Sequence, residues 1–136
     1  MAMRHWQRSA TILGITALLL LAGCGSDTSS TGFSSVTITQ EQRETLAGNR
    51  CAIKGHATNA GNNRAHVRIN YDAKDAVGTV IATSTAEFEV APFSNFDFSN
   101  SVLNNQGQPS SSAFTNNVSC GSVSDFDRTN LDVHAA

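Results

Sequence analysis

The sequence contains no cluster of lysine or arginine and, after residue 23, no long apolar run. Charged residues make up only 15% of its 136 positions, and the formal net charge is −2. Proteins that hold nucleic acid or anionic lipid by electrostatic attraction carry concentrated basic patches. We therefore expect no nucleic-acid partner and no membrane binding that is driven by charge.

Motifs that position catalytic or phosphate-binding groups are also absent. There is no G-x-S-x-G turn around a serine, no glycine-rich phosphate loop and no dinucleotide fingerprint. A serine nucleophile needs a histidine and a carboxylate that orients it, whereas the serines here concentrate in stretches of linker composition and His134 lies near a frayed end. We expect neither an enzyme nor a cofactor.

The first 24 residues carry the most specific pattern in the chain. A start with two arginines is followed by an apolar run of 13 residues, from Ser9 to Leu21, and two small residues then precede Cys24. A run of about 7–15 apolar residues is typical of a signal peptide. As a helix it would span about 20 Å, less than the hydrocarbon core of about 30 Å. The pattern favours a cleaved signal over a permanent membrane helix.

The segment Leu21-Ala22-Gly23-Cys24 resembles the lipobox of bacterial lipoproteins. The resemblance implies that the sulfur of Cys24 receives a diacylglyceryl group and that the signal peptide is cut before it. It also implies that the new amino terminus is acylated, and palmitate is the acyl group we expect. Two or three chains, at about 0.8 kcal/mol per buried methylene, give stable anchoring. The membrane is thus an expected partner, through the lipid.

Removal of residues 1–23, the lipoprotein signal peptide, leaves 113 residues, which suit one domain. The net charge falls to −4 because two arginines are lost. Residues 24–35 are mainly Gly, Ser, Thr and Asp, too polar to bury a core, and we interpret them as a lipidated flexible linker. Its 11 residues after the cysteine would span about 20 Å. Residues 36–136 then form the folded domain.

These features predict a lipid-anchored protein of the cell envelope. In Gram-negative lipoproteins, an aspartate directly after the lipidated cysteine is associated with retention at the inner membrane. This sequence has Gly25 at that position and so resembles the lipoproteins that are not retained. The outer membrane, on its periplasmic or surface side, is then favoured. In a Gram-positive host, we expect the outer face of the cytoplasmic membrane.

The two remaining cysteines, Cys51 and Cys120, would meet an oxidising setting after export and are predicted to form a disulfide. The bond would close a loop of 69 residues and contribute roughly 4 kcal/mol in the chain-entropy model. Two free buried thiols and a thiolate metal or redox site are the alternatives. No C-x-x-C spacing supports a metal or redox site.

Alternating apolar residues predict strands throughout the folded domain. The clearest strand covers residues 64–72, and residues 40–47 have the capping-box form of a short helix. Further strands are predicted at residues 36–38, 50–59, 77–90, 96–98, 114–120 and 131–133. Five to seven short strands with hardly any helix predict an all-β fold, a small antiparallel β-sandwich.

Four short pieces within residues 53–98 belong together: Gly55-His56-Ala57-Thr58-Asn59, Tyr71-Asp72, Gly78-Thr79-Val80, and Pro92 with Phe96 and Phe98. With these pieces the segment resembles the FxLYD domain, an immunoglobulin-like module of bacterial lipoproteins and exported proteins. The naming motif of that domain is broken here by Arg68 and Asn70, and Phe93 replaces the glycine that usually follows the proline. The resemblance implies an immunoglobulin-like sandwich and supplies no catalytic residues.

Phe93, Asp125 and Asp127 are the binding candidates. Phe93 has the parity opposite to its aromatic neighbours, so we expect an exposed ring that could anchor a partner. Asp125 and Asp127, with Asn130 and Asp132, form a loose oxygen cluster in a predicted polar turn. The central glycine and final glutamate of an EF-hand loop are missing, so we expect no calcium site.

His56 and His66 flank a predicted turn at residues 60–63. If their strands paired, the rings would come within reach of one metal ion, but zinc requires three or four ligands and the strands of an immunoglobulin topology can lie in opposite sheets. We expect two solvated histidines and no metal. Residues 99–112, rich in Ser, Asn and Gln, are predicted to be either functional or disordered.

The sequence therefore predicts a membrane-anchored lipoprotein of the cell envelope that acts as a protein-binding or structural module, with an envelope protein as its candidate partner. The alternative is a lipoprotein that binds a small ligand, such as an ion, a glycan or a peptide. That function requires a concave pocket, and residues 125–132 are the place where we expect it. Hydrolysis is a third hypothesis, which requires a serine, a histidine and a carboxylate within hydrogen-bond reach.

Overall fold

The computed structural model describes residues 35–136, which fold into two packed antiparallel sheets. One sheet has the strand order β1-β2-β5 and the other has the order β4-β3-β6. The predicted all-β sandwich is confirmed. The strands are β1 (Val36–Thr45), β2 (Cys51–Asn59), β3 (Ala65–Lys74), β4 (Val80–Val90), β5 (Ser94–Phe98) and β6 (Asp125–Ala135), and single 3-10 turns cover Ala47–Asn49 and Thr115–Asn117.

β3 is the central strand of the second sheet. It pairs with β4 and β6 along its whole length. Side chains alternate across a strand, so its apolar residues share the inner face and its polar residues share the outer face. The predicted core residues of β3 are all fully buried: Ala65, Val67, Ile69 and Tyr71.

An aromatic stack joins the two sheets. Phe88 of β4 lies parallel to Phe96 and Phe98 of β5, with ring centroids 4.9 Å apart in both pairs. Gly55 of β2 makes room for this stack, because a Cβ atom at that position would lie 2.5 Å from Cζ of Phe98. Close packing of this kind is common at glycines inside strands.

The predicted helix at residues 40–47 is wrong, because β1 continues through it to Thr45. So short a helix has little stability of its own, whereas the extended chain gains a ladder of hydrogen bonds to β2. A bulge interrupts this ladder after Thr39, and Gln40 takes a left-handed φ of 57°. The bulge redirects Glu41, whose carboxylate accepts a hydrogen bond of 2.7 Å from the hydroxyl of Tyr71.

The polar turn predicted around Asp125 and Asp127 is wrong, and the short final strand predicted at residues 131–133 is the end of a longer strand. β6 is a single strand of 11 residues that pairs with β3 throughout. A bulge at Thr129 adds one residue, since Asn130 lies opposite Asn70 while Arg128 lies opposite Tyr71. Before the bulge the even-numbered residues Phe126 and Arg128 point inward, and after it the odd-numbered residues Leu131 and Val133 do. Because the alternation shifts within the strand, the sequence pattern does not reveal it as one strand.

Residues 99–112 form part of the fold. The amide of Glu87 donates to the carbonyl of Ser110 at 3.1 Å, and the amide of Ser112 donates to the carbonyl of Thr85 at 3.0 Å. The segment therefore covers the edge of β4. The hydroxyl of buried Ser111 donates to the carbonyl of Ile53 at 2.5 Å, which attaches the same segment to β2.

The strand predicted at residues 114–120 is replaced by an irregular segment. Phe114 is buried as expected, but Asn116 adopts a left-handed φ of 59° and the chain turns there. The segment still pairs with the start of β2, because the amide of Cys51 donates to the carbonyl of Val118 at 2.9 Å. Since β5 pairs with β2 only from Gly55 to Asn59, this segment occupies the remaining length of the β2 edge.

The predicted disulfide between Cys51 and Cys120 is present. Only one of the two cysteines lies in a strand. Cys51 begins β2, while Cys120 lies in the turn that leads into β6. The bond therefore fixes the entry to the last strand against the first sheet, and neither of these two thiols is free.

Candidate functional site at one end of the sandwich

One end of the sandwich brings together the start of β1 and two turns. Val36 lies opposite Asn59, and Ala65 lies opposite Val90, so the turns after β2 and β4 meet at this end. The amide of Ala60 donates to the carbonyl of Ser35 at 2.8 Å. We call residues 35, 59–63 and 91–95 the linker-side end, because the predicted linker joins the domain here.

Asn59 holds the linker-side end together. It is fully buried at the end of β2, and its amide group makes five hydrogen bonds between 2.8 and 3.2 Å. Sequence reasoning missed this role, although a polar residue on the inner parity of β2 was a usable signal. The partners are the hydroxyl of Ser35, the amide of Gly61 and the carbonyls of Asn63, Val90 and Ala91.

Phe93 projects from this end. It is 73% exposed, as expected from its parity, and its amide donates to the carbonyl of Gly61 at 3.1 Å. Its φ of 51° is left-handed, which costs an ordinary residue about 1–2 kcal/mol. The backbone of Phe93 is therefore strained, and its exposed ring makes little packing contact with the fold. Strained positions of this kind cluster at binding sites.

An open groove of about 410 Å³ begins beside this end, between β4 and β5. Phe96 and the exposed Leu103 supply apolar surface to it, and Arg64 and Glu89 form an ion pair of 3.8 Å at its margin. Ser94, the residue after Phe93, also lines the groove.

The residues of the linker-side end carry no charge themselves, and the ion pair of Arg64 and Glu89 borders them. Residues 59–63 read Asn-Ala-Gly-Asn-Asn and residues 91–95 read Ala-Pro-Phe-Ser-Asn. The opposite end differs, since Lys74 and Asp127 form an ion pair there, beside the turn that follows β3. The hydrogen bond from Lys74 to the Asp127 carboxylate raises the pKa of Lys74, so the ammonium group stays charged.

The histidines lie on two different sheets. His56 of β2 is 2.5 Å from a carboxylate oxygen of Asp97, while the ring of His66 on β3 stacks on His134 at a centroid distance of 4.8 Å. His56 and His66 therefore do not form a hairpin pair. Within residues 35–136, no three His, Cys, Asp or Glu side chains are grouped closely enough to hold a metal ion.

The acidic residues of β6 do not converge on one point. Asp127 pairs with Lys74, and Asp125 accepts a hydrogen bond of 2.8 Å from the amide of Phe126. An open cleft of about 360 Å³ does lie beside them. Glu41 lines it and binds Arg128 through two contacts, at 3.1 and 3.2 Å. The cleft is the concave feature that the small-ligand hypothesis requires.

The signal peptide, Cys24 and the linker up to residue 34 lie outside the described residues. In the part of the chain from residue 35 onward, no helix is long and apolar enough to cross a bilayer. The chain matches no known protein-family model, and comparison with curated proteins and with solved structures gives no match either. The resemblances to lipoproteins and to the FxLYD domain therefore stay predictions.

Proposed function

We propose that the mature protein is a lipoprotein of the bacterial cell envelope, anchored through Cys24, that acts as a protein-binding or structural module. The observation that carries this proposal is the disulfide between Cys51 and Cys120. The bond uses two of the three cysteines and leaves Cys24 as the one available for lipid. It also fits an oxidising compartment outside the cytoplasm, where disulfides persist.

A binding role is favoured over catalysis by the surroundings of the described histidines. The rings of His56, His66 and His134 face the carboxylates of neighbouring residues. In the described part of the chain, none of these three rings is hydrogen-bonded to a serine hydroxyl. Hydrolysis by a serine nucleophile would need such a contact.

The outer face of the β4-β3-β6 sheet is the surface that suits a protein partner. Arg68 lies at its centre, opposite Glu87 on one neighbouring strand and Asp132 on the other. The stacked pair of His66 and His134 adjoins them. Mixed charges of this kind give a contact its specificity and orientation.

The FxLYD resemblance gains support from the backbone at Phe93. The family usually has glycine after the proline, and glycine is the residue that adopts a positive φ without strain. Phe93 has a φ of 51°. We propose that the turn keeps the family's geometry while carrying a different side chain.

A cross-linking pull-down from the native membrane fraction tests the proposed function. The lipidated protein should be labelled with palmitate, sediment with membranes and capture a specific envelope protein. Cys24→Ala should lose the palmitate label, because it removes the acceptor of the lipid. Palmitate on the Cys24→Ala protein would contradict the anchor, and capture of no partner above background by the lipidated protein would contradict the protein-binding role.

The second candidate is a small ligand in the cleft beside β6. Glu41, Asp127 and Arg128 converge there with the exposed edge of Thr129 and Asn130. Glycan titrations by calorimetry should give binding heat that Asp127→Asn reduces. The matched control is Asp97→Asn in the other sheet, which should leave the heat unchanged. A flat titration of the unmodified domain would remove this candidate.

A further inference from the structure

The place where the linker joins the domain determines which end faces the bilayer. A linker of 11 residues after Cys24 reaches at most about 40 Å when fully extended, and its polar composition predicts an average span of about 20 Å. β3 has 10 residues and is about 33 Å long. The average linker is therefore shorter than the domain, and a lipid on Cys24 would keep the linker-side end nearest the membrane.

We propose that the linker-side end rests on the lipid surface and that the ring of Phe93 enters the boundary between headgroups and acyl chains. The inference depends on the proposed lipid anchor at Cys24. Phe93 is exposed, lies beside Ser35 through the turn at Gly61, and holds a strained backbone that gives the fold little packing. An aromatic ring is well suited to this boundary of a membrane.

The position of the linker decides between the two ends of the sandwich. Val77, at the far end, is even more exposed than Phe93, at 85%, so exposure alone does not distinguish them. Phe93 lies at the end where Ser35 joins the domain, whereas Val77 lies in the turn after β3 at the opposite end. Arg64 and Glu89, which border the linker-side end, pair with each other and add no net charge there, so a domain with an acidic net charge can approach anionic lipid at this end without net local repulsion.

One aromatic ring binds a membrane only weakly, but a domain that is already tethered to the bilayer needs no more than a weak contact to stay in place. A short flexible linker raises the effective concentration of the end at the surface to about the millimolar range. The lipidated protein should therefore hold Phe93 in the bilayer, while a domain without lipid should not bind vesicles. This difference separates a tethered contact from an independent lipid-binding site.

Phe93→Trp turns the proposed contact into a fluorescent reporter. Trp6 is the only tryptophan of the sequence and is lost with the signal peptide, so the mature variant has a single one. The lipidated variant is purified and reconstituted into protein-free vesicles of phosphatidylethanolamine and phosphatidylglycerol that contain brominated acyl chains. We expect blue-shifted emission that the bromines quench.

Val77→Trp is the matched control at the far end of the sandwich. Its emission should stay at the wavelength of a solvated indole and should not be quenched. Wild-type protein provides a second measurement that needs no substitution: hydrogen exchange of residues 91–95 should be slower on vesicles than in the soluble Cys24→Ala protein. Phe93→Gly, which suits the left-handed backbone, should lose most of this protection.

Mass spectrometry of Cys24 in the same preparation separates failure of the anchor from failure of the contact. A lipidated Phe93→Trp protein whose emission is not quenched would overturn the contact and leave the proposed function intact. A protein without lipid on Cys24 would overturn both. Equal quenching of the Val77→Trp control would also overturn the inference. A blue shift of the Phe93→Trp emission that is seen only in native membranes would overturn it in favour of a protein contact.

Discussion

Three residues show how single positions shape this domain. Gly55 admits the ring of Phe98 into the core, and Asn59 connects the first strand with the two turns of the linker-side end. Phe93 destabilises the fold, because its left-handed backbone is strained and its exposed ring makes few packing contacts that would offset the strain. Two of these positions serve stability, and we propose that the third serves a contact outside the domain.

Gly55→Ala should lower the free energy of unfolding by about 1–3 kcal/mol, the range for overpacked cores. The added methyl group would lie 2.5 Å from Phe98, so the aromatic stack would have to move. Urea unfolding measures the change. Gly121→Ala is the control, since its nearest neighbouring atom is 3.8 Å away and its effect should stay within about 0.5 kcal/mol. Equal effects of the two substitutions would contradict the proposed crowding.

The strands at the edges of the two sheets are protected against pairing with other chains. β4 is covered by residues 110–112, and β5 has only five residues. β1 and β6 each contain a bulge, which twists an edge away from a flat partner. These features disfavour binding through an added strand, and they show that the serine-rich segment closes the fold.

Ser110→Ala tests the structural role of this segment. The buried hydroxyl donates to the carbonyl of Ser99 at 2.9 Å and accepts from its amide at 3.1 Å. Its loss leaves a buried amide and carbonyl without these bonds, so thermal unfolding should show a loss of about 1–3 kcal/mol. Ser112→Ala, at an exposed neighbour, should change little. A Ser110→Ala protein as stable as wild type would mean that the segment is not part of the cooperative unit.

For the whole molecule, the disulfide is the strongest constraint on the chain. It joins residues 69 positions apart and fixes the entry to β6. The double variant Cys51→Ala with Cys120→Ala should lose about 2–4 kcal/mol of unfolding free energy. Reduction of the wild-type protein should give a similar loss in urea unfolding, because both treatments open the same loop. A midpoint that reductant does not shift would show that the bond contributes no stability.

Sequence alone was enough to predict the fold class, the clearest strand and the pairing of two cysteines. Alternation in residues 65–71 requires one buried face and one solvated face, and this requirement holds whichever strands lie alongside. Sequence pattern also predicted that Phe93 would be exposed, because its parity opposes that of the neighbouring core residues. Its membrane contact and the lipid on Cys24 remain proposals.

Only the tertiary structure decided the features that depend on distant partners. Residues 40–47 extend because β2 offers them hydrogen bonds, and Glu41 leaves the ladder to meet Arg128, 87 positions away. The bulge at Thr129 breaks the alternation that would have revealed β6. The local pattern shows which side of a strand is buried. Bulges, the cover over the edge of β4 and the attachment of Ser35 and Phe93 to the same turn at residues 60–61 depend on pairings that no short segment encodes.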